Sequence, residues 1–298
     1  MAAEHVPQHE LTDAEITSII STQFADLAQL RVTRLGEGTD HVAFDVGGQY
    51  IFRFPKRAEV AAALNVEVQL TAWLAPQLPL PIPEYRWFGQ WGAHDVQLLA
   101  GYRRLPGTPA LQVAHRPPPG VADSIGGFLR RLHDVSSEAA AELGVPVQED
   151  AGEWPRVAVS DLRFAAHHQL VDEAHLGQWQ DVLSSPPSSR GIRRRLLHGD
   201  FAAEHVLLGT NGAVSGVIDW SDAQLGDPAL DLAGVLHWGG MALLHDVLET
   251  YGRVSERGMR RVRWYAACRA LADIRFGMMQ ARGEYVRAGQ RALEWSSR

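Results

Sequence analysis

The segment from Leu196 to Asp219 constrains this chain most. Leu196-Leu197-His198 forms an apolar approach that breaks at Gly199-Asp200, and five residues later comes His205, followed by Val206-Leu207-Leu208. Thr210-Asn211-Gly212 then turns the chain into residues 214–218, which end at Asp219. Two short apolar runs joined by a turn of this composition predict a strand-like hairpin with polar groups at its ends. Taken singly, an Asp after Gly is an ordinary turn residue and a His an ordinary hydrogen-bonding group. It is their order and spacing that points to chemistry.

At 298 residues the chain exceeds the usual size of a single core, so one large domain or two lobes are expected. A net charge of −7 argues against a broad nucleic-acid surface, and the one basic run, Arg193-Arg194-Arg195, reads as a solvated face. Cys268 is the only cysteine, which rules out an intrachain disulfide and suits a reducing compartment. The opening MAAEHVPQHE lacks the basic stretch and apolar core of a secretory signal, and no apolar run approaches the ~20 residues that span a bilayer. A cytoplasmic protein without a membrane partner is therefore expected, with a monomer as the default state.

Thr12-Asp13-Ala14-Glu15 is a capping box, and Ile16, Ile19, Ile20 and Phe24 follow at helical spacing. Strand patterns over residues 31–54 alternate Val42, Phe44 and Val46, turn at Gly47-Gly48 and return through Tyr50, Phe52 and Phe54. A helix over residues 58–75 and strands near 85–88 and 96–99 complete a small β-rich lobe. These patterns predict an α+β chain: an N-terminal lobe over residues 1–100, a hinge over 101–107 and a mostly helical lobe over 108–298. Pro117-Pro118-Pro119 and residues 184–189 read as surface loops.

Phosphoryl transfer needs a carboxylate to orient the attacking hydroxyl and accept its proton, together with ligands that fix a divalent cation on the nucleotide phosphates. Kinases place the base Asp five residues before a metal ligand and end a strand on a second Asp one hairpin later. Asp200, His205 and Asp219 follow that layout. Gly36-Glu37-Gly38-Thr39-Asp40, between two strand patterns, would let the amides around Gly36 and Gly38 approach phosphates, although an ordinary hairpin turn has the same composition. Arg53 lies inside an apolar strand and Glu67 in the next helix, the arrangement of a phosphate-binding cation held by a helix acid; Lys56 is an alternative cation.

The segments LLHGDFAAEHVLL and GVIDWSDAQLGDPALDLA resemble the signature of the aminoglycoside phosphotransferase family, whose fold is protein-kinase-like and bilobal. Most members carry Asn five residues after the base; His205 in that place resembles the aminoglycoside 2''-phosphotransferases and the macrolide 2'-phosphotransferases. GEGTDHVAF, YIFRFPKR and LPLPIPE are similar to the former, and residues 57–60 and the C-terminal helices to the latter. The resemblance implies ATP or GTP as donor, Mg²⁺ as cofactor with His205 and Asp219 as ligands, and a nucleotide in the cleft between the lobes. It also implies purine contacts from the backbone of Arg103 and Leu105. Trp220 and Ser221, where protein kinases carry Phe and Gly, imply no activation switch.

For the acceptor the resemblance implies a hydroxyl on a small antibiotic, an aminoglycoside first and a macrolide as the alternative. A housekeeping small-molecule kinase and a nucleotide-binding pseudoenzyme are further readings, the last motivated by His205 and Arg53. Asp222, Asp231, His237 and Trp238 are candidate acceptor contacts, with Trp264 and Tyr265 as possible aromatic neighbours. Asp227 and Asp231 also suit anchoring or helix capping. The stretch 232–241 contains no acid, which disfavours a polycation there.

Overall fold

A computed structural model describes residues 12–38, 40–92, 96–113, 117–118, 120–148 and 153–297. The N-terminal decapeptide, Thr39 and Pro119, each read above, lie outside the described residues. The chain divides into two compact units, Met1–Pro76 with Ile82–Leu105, and Gln77–Pro81 with Pro106–Arg298.

In the first unit, helix α1 (Asp13–Gln23) opens on the capping box: Thr12 Oγ1 accepts from the Glu15 amide at 3.3 Å and the Thr12 amide donates to Glu15 Oε2 at 2.9 Å. Strands β1 (Val32–Glu37), β2 (His41–Val46) and β3 (Tyr50–Pro55) precede helix α2 (Ala58–Leu74) and strands β4 (Tyr85–Trp91) and β5 (Gln97–Arg103). All pairings are antiparallel, in the order β1-β2-β3-β5-β4. Gly47 and Gly48 both take positive φ between β2 and β3, the conformation a two-strand turn of this kind needs.

The alternation in β2 and β3 does not mark a wet face. Phe44, Phe52 and Phe54 pack with Ile16, Ile20 and Phe24 on one side of the sheet, while Ile51, Ala100 and Tyr102 pack with Leu64 of α2 on the other. A sheet covered on both faces buries its intervening residues too, and Arg53 is one of them.

The second unit begins with β6 (Thr108–Pro109), α3 (Ala110–Val113), α4 (Val121–Asp134), α5 (Ser137–Glu142), α6 (Trp154–His167) and α7 (Leu176–Ser184). Four short strands follow: β7 (Arg195–Leu197), β8 (Val206–Leu208), β9 (Val214–Val217) and β10 (Gln224–Gly226). Helices α8 (Ala229–Tyr251), α9 (Glu256–Met279) and α10 (Gly283–Ser296) close the unit. The expected hairpin is β8–β9, with β6 on its other edge. The apolar approach is not part of it: β7 pairs with β10, which lies beyond Asp219. Residues 101–103, read as the start of the hinge, are the end of β5.

Candidate active site

The loop after β7 carries Asp200, and the backbone leading into it is held by the side chain of Asp231. Asp231, in the first turn of α8, accepts from the amides of His198 at 2.9 Å and Gly199 at 3.0 Å, one on each carboxylate oxygen. His133 Nε2 lies 3.0 Å from Asp231 Oδ2, and His133 Nδ1 lies 2.8 Å from the Tyr251 hydroxyl. Asp231 is completely buried, so its expectation as an acceptor contact is corrected: its carboxylate is engaged inside the unit and anchors the loop. Burial alone would raise its pKa, but His133, His198 and the amides outweigh it and hold the group ionised below the usual range. Asp227 caps α8 through the Ala229 amide at 3.1 Å and accepts from Arg261 Nε at 2.6 Å, which matches its anchoring reading.

Gly199 takes φ +85°, and a Cβ there would lie 1.9 Å from the Asp222 carbonyl oxygen, so the chain on either side of Asp200 closes only around a glycine. Beyond the turn, His205 Nδ1 lies 2.8 Å from the backbone oxygen of Asp200. A carbonyl can only accept, so Nδ1 carries the proton and Nε2 is the nitrogen directed elsewhere. It lies 3.6 Å from Asp219 Oδ2 and 3.8 Å from Glu204 Oε1. Asp219 itself has φ +65°, an uncommon backbone for a residue other than glycine, and Ser221 Oγ donates to its Oδ1 at 2.6 Å. Trp220 is buried against His198 and Phe128, and its indole donates to the Val217 carbonyl at 3.2 Å.

Arg269 of α9 donates to Asp200 Oδ1 in a short charge-assisted bond. Burial alone would raise the Asp200 pKa; Arg269, then His205 and His198, reverse that and hold it below the usual carboxylate range. Burial would lower His205, yet Asp200, Asp219 and Glu204 together raise it. The carboxyl of Asp222 is pushed up to about 6 by desolvation and by the charges of Asp200 and Asp219.

Asp200 opens into a cavity of about 120 Å³, lined also by Glu204, His237, Trp238, Arg269, Asp273 and Tyr285. His237 Nε2 lies 3.1 Å from Asp273 Oδ2. Trp238 is 8% exposed, and its indole N–H makes no hydrogen bond within the described residues. The cavity thus combines three carboxylates, those of Asp200, Glu204 and Asp273, with an indole N–H unmatched within the described residues. Trp264 and Tyr265 do not line it: Trp264 donates to the Val182 carbonyl and Tyr265 accepts from Gln148, both within the packed interior.

The oxygen atoms of Asp200, Glu204 and a nitrogen of His205 lie within 4.8 Å of one another, with Asp219 close by. Beside Asp200, the group around His205 Nε2 fits a divalent cation, with oxygens of Glu204 and Asp219 as hard ligands and His205 as the one nitrogen.

In the first unit, Arg53 donates to Glu67 Oε1 at 2.6 Å, and both are buried. Tyr85 donates its hydroxyl to the same oxygen at 2.8 Å, and Arg53 reaches His41 Nδ1 at 3.0 Å. A buried guanidinium needs this many partners to offset its desolvation. Lys56, the alternative cation, donates to the Gly38 carbonyl at 2.7 Å and so tethers the turn between β1 and β2. Among the described residues a Cβ at Gly36 would meet nothing within 4 Å. Arg103 ends β5 opposite Tyr50, and Leu105 follows, half-buried.

The short segment 198–219 thus supplies Asp200, His205 and Asp219 to one place, as their spacing suggests. Reading the sequence did not find Arg269, Glu204 and Asp273. The signal for Arg269 and Asp273 is that both fall on the α9 stripe of Val262, Tyr265 and Ala266, at positions where an apolar residue is expected.

A carboxylate on a glycine-hinged loop with a His and an Asp beside it, in one unit, and a buried Arg–Glu pair between strand and helix, in the other, are the kinds of parts that phosphoryl transfer uses. The chain belongs to the phosphotransferase enzyme family, APH, whose model matches residues 31–265. It is a phosphotransferase. It is similar to hygromycin-B 4-O-kinase of Escherichia coli, 24% identical over 238 residues that cover 77% of this chain and 68% of that one. Among solved structures, it resembles the GDP and kanamycin complex of APH(2")-IIIa, with a TM-score of 0.72 and 27% identity over 95% of this chain and 98% of that one. It likewise resembles the macrolide 2'-phosphotransferase MphH from Brachybacterium faecium, with a TM-score of 0.65 and 25% identity over 95% and 98% of the two chains.

Proposed function

We propose that this protein transfers the γ-phosphoryl group of ATP or GTP to a hydroxyl of a small, amine-bearing antibiotic, with an aminoglycoside as the leading acceptor. The observation that carries the reading is the Asp200 cavity: the base carboxylate shares a space of one-ring size with Glu204 and Asp273. A drug-sized site usually exceeds about 300 Å³, so this one suits the reacting ring of a larger molecule. Residues 232–241 contain no acid, but Glu204 and Asp273 furnish the carboxylates from other elements. His237 and Trp238 would contact the acceptor through an imidazole edge and the open indole N–H; Asp222 would face it or the cation. The likeness to a complex holding GDP and kanamycin supports the guanine nucleotide and the aminoglycoside alike.

In this mechanism Asp200 orients the acceptor hydroxyl and takes its proton as the acceptor oxygen bonds to the γ-phosphorus and the bond from that phosphorus to the β,γ-bridging oxygen breaks, with ADP or GDP as the leaving group. His205 and Asp219 would hold Mg²⁺, which neutralises charge on the phosphates when bound. Arg53, fixed by Glu67, would bind the phosphates, the backbone around Gly36 and Gly38 would cover them, and the backbone of Arg103 and Leu105 would meet the purine. A macrolide acceptor is the second reading, supported by the acid-free stretch 232–241 and the likeness to MphH.

The experiment is purified protein with Mg²⁺, ATP or GTP, and a panel of kanamycin, hygromycin B, viomycin and erythromycin, read by phosphate transfer. Asp200→Asn is expected to lower kcat by about 10³-fold while nucleotide affinity is retained, within the range for loss of a general base. Full activity in Asp200→Asn would overturn the base assignment. Nucleotide binding with no transfer to any acceptor would favour a pseudoenzyme.

A further inference from the structure

We propose that Arg269 is a positioning residue for the reaction: it fixes one oxygen of Asp200 so that the other alone meets the acceptor hydroxyl. The inference rests on the reading of Asp200 as the base. An arginine that faces a carboxylate commonly engages both oxygens with its fork. Among the described residues only Oδ1 is engaged by the arginine, through one terminal nitrogen of Arg269. The remaining oxygen, Oδ2, lies 3.6 Å from His205 Nδ1, but that proton is already committed to the Asp200 backbone oxygen at 2.8 Å. Oδ2 is therefore left for a ligand, and the Asp200 side chain keeps 36% of its surface open while Arg269 keeps only 15%.

The surroundings of Arg269 suit a fixed rather than a mobile cation. Its sequence neighbours on α9, Cys268 and Ala270, are buried, and it lines the Asp200 cavity beside Asp273 one helical turn on. The loop backbone is held independently, by Asp231 through the amides of His198 and Gly199. Asp231 therefore sets where the Asp200 backbone lies, and Arg269 sets which way its carboxylate turns. The second task matters for rate, because a small misorientation of a reacting group costs far more in the transition state than in ground-state binding.

The test compares wild type, Arg269→Met and Arg269→Lys in the full chain. Kinetics with kanamycin and GTP, and with GTP hydrolysis by water as a second readout, should show Arg269→Met lowering kcat about 100-fold with KM for both substrates within about 3-fold, the signature of lost positioning. Arg269→Lys, which restores a cation without the planar fork, should recover about a tenth of the lost rate or more. A raised kcat in Arg269→Met would overturn the proposal by showing that the arginine blocks the base. A loss expressed only in KM would overturn it as well.

Crystal structures of wild type and Arg269→Met provide a readout that needs no turnover. The proposal expects one Asp200 carboxylate orientation in wild type and a rotated or split one in the variant; the same single orientation in both would sink it. Should wild type transfer phosphate to nothing while the carboxylate still disperses in Arg269→Met, the functional reading fails and the positioning role stands.

Discussion

The two nitrogens of His205 face two different tasks, one structural and, in the proposed mechanism, one of metal ligation. Nδ1 ties the loop by donating to the Asp200 carbonyl, and Nε2 faces Asp219. Asparagine can meet both needs, since its amide N–H₂ can donate to the same carbonyl while its oxygen turns to the cation. His205→Asn is therefore expected to keep at least about a tenth of the wild-type kcat, whereas His205→Ala, lacking both, should lose about 100-fold, the upper end for disturbed metal ligation. Initial rates across a Mg²⁺ titration check this; equal inactivity in the two variants would mean that the imidazole is needed for itself. Asp200, His205 and Asp219 were legible because they occupy one short stretch whose spacing is itself the signal. Arg269 and Asp273 were not, because their places on the buried stripe of α9 mark them as unusual without pointing to a partner 69 residues earlier in the chain.

Helix α8 does most to shape the site among the elements. Its first turn presents Asp231 to the loop amides, and three residues later Gly234 lets the helix touch the loop: a Cβ there would lie 1.6 Å from the Phe201 carbonyl oxygen. Backbone must move to accept a methyl group at that distance, and Phe201 adjoins Asp200. Gly234→Ala is expected to destabilise the protein by about 3 kcal/mol, the upper range for overpacking, and to lower kcat with it. Gly177→Ala on α7, where a Cβ meets nothing within 4 Å, should instead be neutral or slightly stabilising, in line with helix propensity. Urea unfolding of the two variants beside wild type separates these outcomes. Helix α8 also marks where sequence patterns fail. Its residues 229–236 are buried on every side, so no amphipathic stripe exists to reveal the helix. Strands β7 and β10 have three residues each, too few for a period, and only the fold shows that they pair. The β2–β3 hairpin was legible because Gly47-Gly48 marks its turn and its length allows alternation.

At the scale of the whole molecule, the lone cysteine provides a means to follow the second unit. Cys268 is 3% exposed in α9, next to Arg269, and burial pushes its thiol well above the usual range. A thiol reagent attacks only the thiolate, so labelling must wait for an opening that exposes the residue. No cysteine occurs in residues 1–105, and the signal therefore comes from the second unit alone. Labelling in native buffer is expected to be at least about 10³-fold slower than in denaturant, as the folded-to-unfolded ratio of a marginally stable domain requires. With added urea it should accelerate along the same midpoint as the loss of helical circular dichroism. Acceleration well before that midpoint would instead show α9 opening locally. The same measurement guards the kinetic tests: if Arg269→Met protects Cys268 as wild type does, its lost rate cannot be ascribed to unfolding, because the altered residue and the reporter are neighbours on one helix.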